Sequence, residues 1–333
     1  VLVAALIALG QLAGADGLFD AAASRLVRLS GSTMTGLLAC LGLVLLVTAV
    51  LNLDTSAVFL TPVLIGVARR RRAPVEPFLY GSVFMANASS LFLPGSNLTN
   101  LLVLSSHRPT GGTFLAQMLP AALAAPIVTA VGLVLIHRRA LRDGGAGEED
   151  RLVPVRVGAG LLGALLAAVA MLLFANPALP VLGVALVLVA WRARRGGPSP
   201  AATLRALGLP VLAGLFCLSV ALGVFARSGV LHVDRLQHAG SLAVAATAAG
   251  AGVLINNLPA AVLLSAGGHL PVKALLIGLN VGPNLAVTGS LAVLLWWRAA
   301  RAAGERPSAL SYSRQGLLLA PAALLVCLLA ISL

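Results

Sequence analysis

Charge is scarce in this chain. Of 333 residues, 10% are Asp, Glu, Lys or Arg, where a soluble domain carries about 25%. With 59% hydrophobic residues, too little polar sequence remains to cover a buried core, and a water-soluble domain is excluded. Aromatic residues are rarer still, at 4%. There are too few rings to build a stacking surface beside the basic patches, so the net charge of +13 does not point to nucleic acid. Cysteine is limited to Cys40, Cys217 and Cys327, far apart in apolar runs. That excludes a disulfide framework and a thiolate metal site, and each thiol reads as a small apolar residue. No Ser/His/Asp or Cys/His grouping is spaced for catalysis, and no phosphate-cradling loop occurs. The chain is therefore expected to be no enzyme, with no catalytic residue, cofactor or metal and no ATP hydrolysis of its own. Its first residues lack the charged n-region and cleavage site of a signal peptide.

What is abundant is uninterrupted apolar sequence. Runs of about 17 residues or more recur along the chain, each long enough to cross about 30 Å of hydrocarbon. Residues 1–14 are apolar, and 17–31 are amphipathic and basic, which suits an interfacial helix. Segments 35–51 and 55–68 are separated only by "NLDT"; 77–106 is interrupted by "PGSN" at 94–97, and 114–136 is continuous. The charged, Gly-rich stretch 138–156 reads as a linker. Beyond it lie 157–175, 178–191, 206–226, an amphipathic piece at 228–238, then 240–255, 258–267, 274–297 (interrupted by "VGP" at 281–283) and 313–333.

This layout repeats. "NLDTSAVFL" at 52–60 resembles "INNLPAAVLL" at 255–264, which sets Asp54 opposite Asn257. Downstream of each lies a long segment with a small, polar centre, "NASSLFLPGSNLTNLLV" at 87–103 and "NVGPNLAVTGSLAVLLW" at 280–296. Arg clusters at 69–72, 137–142, 192–195 and 298–306 all fall on one side when the segments are threaded in order, and that side is cytoplasmic. Segments 55–68 and 258–267, about 14 and about 10 residues long, are too short to span comfortably. The expected fold is an all-α polytopic membrane protein with inverted repeats, two re-entrant helical hairpins and two broken transmembrane helices. The first repeat is 1–137, the cytoplasmic linker 138–156 and the second repeat 157–333. Weak internal symmetry with paired interrupted segments points to a secondary transporter site.

The breaks nominate the residues of that site. Asn52, Asp54 and Thr55 sit where the first hairpin's second helix begins, and Asn256 and Asn257 are their counterparts. Ser96, Asn97 and Thr99 flank the start of one half-helix; Asn284, Thr288, Gly289 and Ser290 flank the other. Four helix N-termini would present N–H donors and positive dipole ends near mid-membrane. Such a site suits an anion, or a small neutral polyhydroxy solute. For any single Ser or Thr, capping and helix packing is the competing reading. Asp54 is the sole carboxylate at a predicted mid-membrane break, and is the candidate for proton coupling. Burial favours its neutral form and a helix N-terminus its anion. The alternative is a plain N-cap for a helix beginning near Thr55.

The four motifs "NLDTSAVFLTPVLIG", "ANASSLFLPGSNLTNLLV", "NNLPAAVLL" and "GPNLAVTGSLAVLLW" resemble those of the ArsB-type arsenite/antimonite efflux permeases. These belong to the ion transporter superfamily that includes the divalent-anion/sodium symporters. The resemblance runs along the whole chain. It implies proton-coupled efflux of arsenite or antimonite across the plasma membrane, a homodimer, and coupling of some members to a soluble ATPase subunit. Such permeases are longer at the N-terminus, so it also implies a first repeat short of about two helices. The tips here, Asn52-Leu53-Asp54-Thr55 and Asn256-Asn257-Leu258-Pro259, depart from the Ser-Asn-Thr pattern of the sodium-dicarboxylate relatives. The alternatives are transport of another small inorganic or organic anion, by symport or exchange, or a transport-inactive fragment serving as an interaction subunit. Single-cysteine labelling in a cysteine-free background tests the orientation. Positions 70, 139 and 194 are expected to label from the inside and 107 and 269 from the outside; outside labelling at 139 would break the inverted-repeat arrangement.

Overall fold

A computed structural model describes residues 1–28, 31–105, 109–143, 158–195, scattered positions between 213 and 238, 239–266 and 270–332. Among these residues every regular element is helical. The chain is a multi-pass membrane protein: α3 Thr33–Val50, α8 Gly111–Ile136 and α16 Ala309–Ser332 are each long and apolar enough to cross a bilayer alone. Most of 206–226 and 228–238, with His107, His232 and His269, lies outside the described residues.

The N-terminal pair, α1 Leu2–Ala15 and α2 Leu18–Arg28, bends by 62°. Gly17, with φ of 70°, supplies the left-handed turn. Helix α2 buries Phe19, Ala23 and Ser24 and exposes Arg25 and Arg28, as an interfacial helix does. Asp16 caps the end of α1 and is buried. Helix α10, Ala159–Leu173, starts after Gly158, which has no side-chain oxygen with which to cap it. Asp16 does so from outside: its Oδ2 accepts from the Gly160 N–H at 2.8 Å, and its Oδ1 lies 3.3 Å from Arg192 Nε. Arg192 is on α11, Ala178–Arg194, so one carboxylate ties α1, α10 and α11 together.

Two helix–break–helix units are present. In the first, α3 gives way at Leu51-Asn52 to α4, Leu53–Thr55, then a π-helical turn, Ser56–Leu60, and α5, Thr61–Arg70. Pro62 explains the wide turn: it has no N–H for the Val58 carbonyl and its ring crowds that group. In the second, α12 Ser241–Ile255 and α13 Asn257–Ala266 meet at Asn256, whose φ is 75°. Two broken helices follow the same plan. Helix α6, Val75–Ala88, is joined to α7, Leu98–Val103, through a tight turn at Pro94–Ser96. Helix α14, Val272–Val281, is joined to α15, Leu291–Ala302, through Gly282–Leu285. Both interruptions are longer than "PGSN" and "VGP" suggest. The predicted linker also begins as a helix, α9 Arg138–Asp143; 144–156 lie outside the described residues.

The halves interlock. The α4–α5 arm packs on α15 from the second half, and α13 packs on α7 from the first. Helix α8 lies along α16. Between α6, α15 and α16 sit both tyrosines of the chain, Tyr80 and Tyr312, with Phe84 and Trp296, ring centroids 4.7–6.3 Å apart. Their polar atoms are bonded: Trp296 Nε1 to the Leu79 carbonyl at 2.9 Å and the Tyr312 hydroxyl to the Pro283 carbonyl at 2.9 Å. The Asp16 cap is testable. Asp16→Ala orphans the Gly160 N–H and a half-buried guanidinium and is expected to destabilise by about 1–3 kcal/mol. A double-mutant cycle with Arg192→Ala should show coupling in detergent unfolding; strict additivity would mean that the pair does not hold the three helices.

Candidate transport site at the helix breaks

Nine asparagines occur in the sequence, and all but Asn176 lie at the two tips or the two breaks. At the crossing of the broken helices they form a buried clasp. Asn280, in the last turn of α14, accepts from Ser90 Oγ at 2.5 Å and Asn97 Nδ2 at 2.7 Å. It donates to Asn100 Oδ1 and to the Leu276 carbonyl, both at 2.8 Å. Its amide is thus fully bonded. Asn87, in the last turn of α6, makes the reciprocal reach and donates to Asn284 Oδ1 at 2.8 Å. Asn284 in turn donates to the Phe84 carbonyl at 3.2 Å. Asn100 Nδ2 serves the broken backbone, donating to the carbonyls of Ser90 (2.8 Å) and Leu93 (3.3 Å).

The hairpin tips are stitched to the same breaks. Ser96 Oγ donates to the Ala49 carbonyl at 3.1 Å, and Thr288 Oγ1 donates to the Val253 carbonyl at 2.7 Å. Ala49 precedes Asn52 by three residues, and Val253 precedes Asn256 by three. These matched contacts set Asn52 opposite Asn256, and so Asp54 opposite Leu258 rather than Asn257. Asn256 donates to the Thr288 carbonyl at 3.2 Å, and the Asn257 N–H donates to the Gly289 carbonyl at 2.9 Å.

Each helix start has its cap. Asn52 Oδ1 accepts from the Thr55 N–H at 2.7 Å, Asn97 Oδ1 from the Thr99 N–H at 3.0 Å, and Ser290 Oγ from the Val293 N–H at 3.3 Å. The cap of the first hairpin is therefore Asn52, and not Asp54 as the plain-cap alternative has it. Asp54 occupies the first turn of α4, half-buried, with no hydrogen bond or ion pair among the described residues. The helix starts come together two by two, α4 with α15 and α13 with α7.

Of the residues nominated by sequence, Asn256, Asn257, Thr288 and Gly289 gather at the second tip, with Thr99 on the helix packed against it. Asn52, Asp54 and Thr55 gather at the first tip, beside the helix that Ser290 caps. Asn284 belongs to the clasp rather than to a tip. Asn87, Ser90, Asn100 and Asn280 are the members that motif matching alone passes over; the confinement of asparagine to the breaks is the signal for the three asparagines, and Ser90 has none. Several buried polar atoms keep bonding capacity unused among the described residues: Asn52 Nδ2, Thr55 Oγ1, Thr99 Oγ1 and Asn257 Oδ1. Such atoms are rare in a folded interior and call for a partner there, water or a solute.

Broken helices crossing through bonded side chains, with open donors and acceptors at two tips, are the arrangement that secondary membrane transporters build around their sites. Its fold is that of a known carrier: the YdaH transporter of Alcanivorax borkumensis superposes over 99% of this chain and 84% of its own, with a TM-score of 0.62 at 15% identity. The chain belongs to the citrate transporter family, CitMHS, whose profile matches residues 1–268. That family is one of transporters and not of enzymes. The chain is also similar to the silicon efflux transporter LSI3 of Oryza sativa subsp. japonica, at 32% identity over 107 residues. That match takes in 32% of this chain and spans about a fifth of the rice protein, 22%.

Asn280→Ala would leave Ser90, Asn97 and Asn100 without their shared partner, at about 1–3 kcal/mol for each buried group left unbonded. The expected result is a far larger fall in detergent stability than from Asn176→Ala. Equal effects would mean that water replaces the clasp without loss.

Proposed function

We propose that this chain exports a small, uncharged, hydroxyl-rich oxyacid across the plasma membrane in exchange for protons, with arsenous or antimonous acid as the solute. The observation that carries this reading is the chemistry of the breaks. Residues 51–57, 89–99, 255–259 and 282–290 offer amides, hydroxyls and backbone N–H groups, with one carboxylate and no Lys, Arg or His. A neutral solute whose hydroxyls both donate and accept matches such groups without a fixed countercharge. A multiply charged anion would be balanced there only by helix N-termini, and would face Asp54. The similarity to a silicon efflux transporter supports the same solute class. Trivalent arsenic also binds thiolates, but Cys40 and Cys327 lie in different core clusters and Cys217 is exposed, so recognition runs through hydroxyls.

Asp54 is the proton carrier of this scheme. It holds a proton while the solute leaves and releases it on the other side, one half of the protein titrating while the other, with Leu258 at the matching position, only binds. The inverted repeats 1–137 and 157–333 with their linker 138–156 supply the two-fold plan, and the Arg-rich ends face the cytoplasm. The scheme needs neither a homodimer nor a soluble ATPase subunit. The second reading is exchange or symport of a carboxylate anion, favoured by the family to which residues 1–268 belong.

Arsenite tolerance and cellular arsenic in an efflux-deficient host, with silicic acid and citrate flux in proteoliposomes, separate the readings. Citrate flux without oxyacid flux would replace the first by the second. Asp54→Asn keeps size and polarity and removes titration. It is expected to fold, to bind solute, and to lose uphill efflux by tenfold or more, judged by pH-gradient-driven transport. Unchanged uphill efflux with an unchanged pH dependence would move the proton path elsewhere.

A further inference from the structure

The arginine-rich end carries a walled groove that transport does not use. Helix α15 closes with Gly304 in the left-handed region, φ 84°, its N–H on the Arg301 carbonyl and the Glu305 N–H on the Ala300 carbonyl, each at 3.0 Å. This is a Schellman closure, and it fixes the residues that follow. Glu305 is turned to Arg69 of α5, 2.5 Å away. The Ser308 N–H donates to the Tyr80 hydroxyl at 2.8 Å, and Pro307 before it is buried. The loop is thus held at both ends. Beside it is a groove of about 520 Å³ bounded by Trp297, Arg301, Glu305, Arg306 and Pro307. Trp297 stands edge-on to the buried Trp296, ring centroids 5.9 Å apart at 78°, and forms a fixed wall.

Glu305 is neutralised by Arg69, so Arg301 and Arg306, both exposed, leave the groove with two uncompensated positive charges. Orientation of the chain in the membrane requires only that cations lie at this end. It does not require two of them beside a rigid indole in a preformed loop. Two guanidinium forks suit phosphate oxygens, and an indole with one apolar and one wet edge belongs at the depth of the lipid backbone. We propose that this groove seats the phosphodiester of an anionic phospholipid from the leaflet on the arginine-rich side. Preorganisation of the loop means that little freedom is lost on binding. The inference is independent of which solute the breaks carry.

Trp297 is itself the reporter. The full chain is reconstituted in phosphatidylcholine vesicles with rising fractions of phosphatidylglycerol brominated on its acyl chains, and tryptophan quenching is followed, with Trp297→Phe identifying the signal. Quenching at Trp297 should saturate at a lower fraction with brominated phosphatidylglycerol than with brominated phosphatidylcholine. Each guanidinium contributes about 1 kcal/mol near an anionic surface, so the double variant R301Q/R306Q should lower the relative affinity about thirtyfold. R301K/R306K, which keeps the charge and loses the fork, should retain only part of it, and Arg298→Gln, exposed outside the groove, should leave it unchanged. Equal quenching by the two lipids, or an unaltered R301Q/R306Q, would overturn the assignment. Relief of quenching by millimolar inorganic phosphate would show that a free ion is the ligand and overturn the lipid.

Discussion

A chain that interrupts its helices within hydrocarbon leaves N–H and C=O groups that no water can reach, and every such group must find a partner inside the protein. Here most of the partners are side-chain amides. Asn100 takes two carbonyls of the first break, Asn284 takes one at the end of α6, and Asn52, Asn97 and Ser290 cap the helices that restart. Asparagine suits the task because one planar group donates twice and accepts twice. The crossing of the two broken helices follows from where those amides reach, and the Ser96 and Thr288 hydroxyls tie the tips to it.

The first tip is closely housed. Helix α1 runs so close to the first that a Cβ at Gly10 would stand 2.5 Å from Thr55 Cγ2, and one at Gly14 would stand 2.9 Å from the Phe59 ring. That helix is braced in turn by the Asp16 carboxylate against α10 and α11. The first tip therefore has a rigid wall at the level of Asp54. At the second tip, among the described residues, Leu254 is 82% exposed.

Much of this architecture was written in hydropathy and Arg spacing. Apolar runs separated by "NLDT" and "INNL" gave both helix–break–helix units, and the small polar centres gave both broken helices. Registration is where the reading slipped. "INNLPAAVLL" allows either asparagine to pair with the first tip, and only the matched carbonyls at Ala49 and Val253 decide between them. The helix start at Leu53 was hidden because Pro62 obscures the continuity of α4 and α5, which a π-helical turn restores. The Asp16 cap depends on a helix more than a hundred residues away, and no local pattern announces it. Clasp members Asn87 and Asn280 sit inside helices, where asparagine is an indifferent helix former; tertiary bonding explains them, and that is absent from any short window.

The clasp also has a consequence in time. Asn97 and Asn100 are joined to Asn280 across 183 and 180 residues, and Asn87 to Asn284 across 197. A ribosome adding about 5–20 residues per second needs roughly 10–40 s to cover that interval. For that period the first broken helix is in the nascent chain, with Asn87, Asn97 and Asn100 lacking the bonds that Asn280 and Asn284 supply, while those partners are unborn. Insertion cannot then proceed as a simple succession of finished helices. The first break has to be kept in a wet or shielded place at the insertion machinery until the second emerges, and only then can both enter the bilayer interior as a single closed unit.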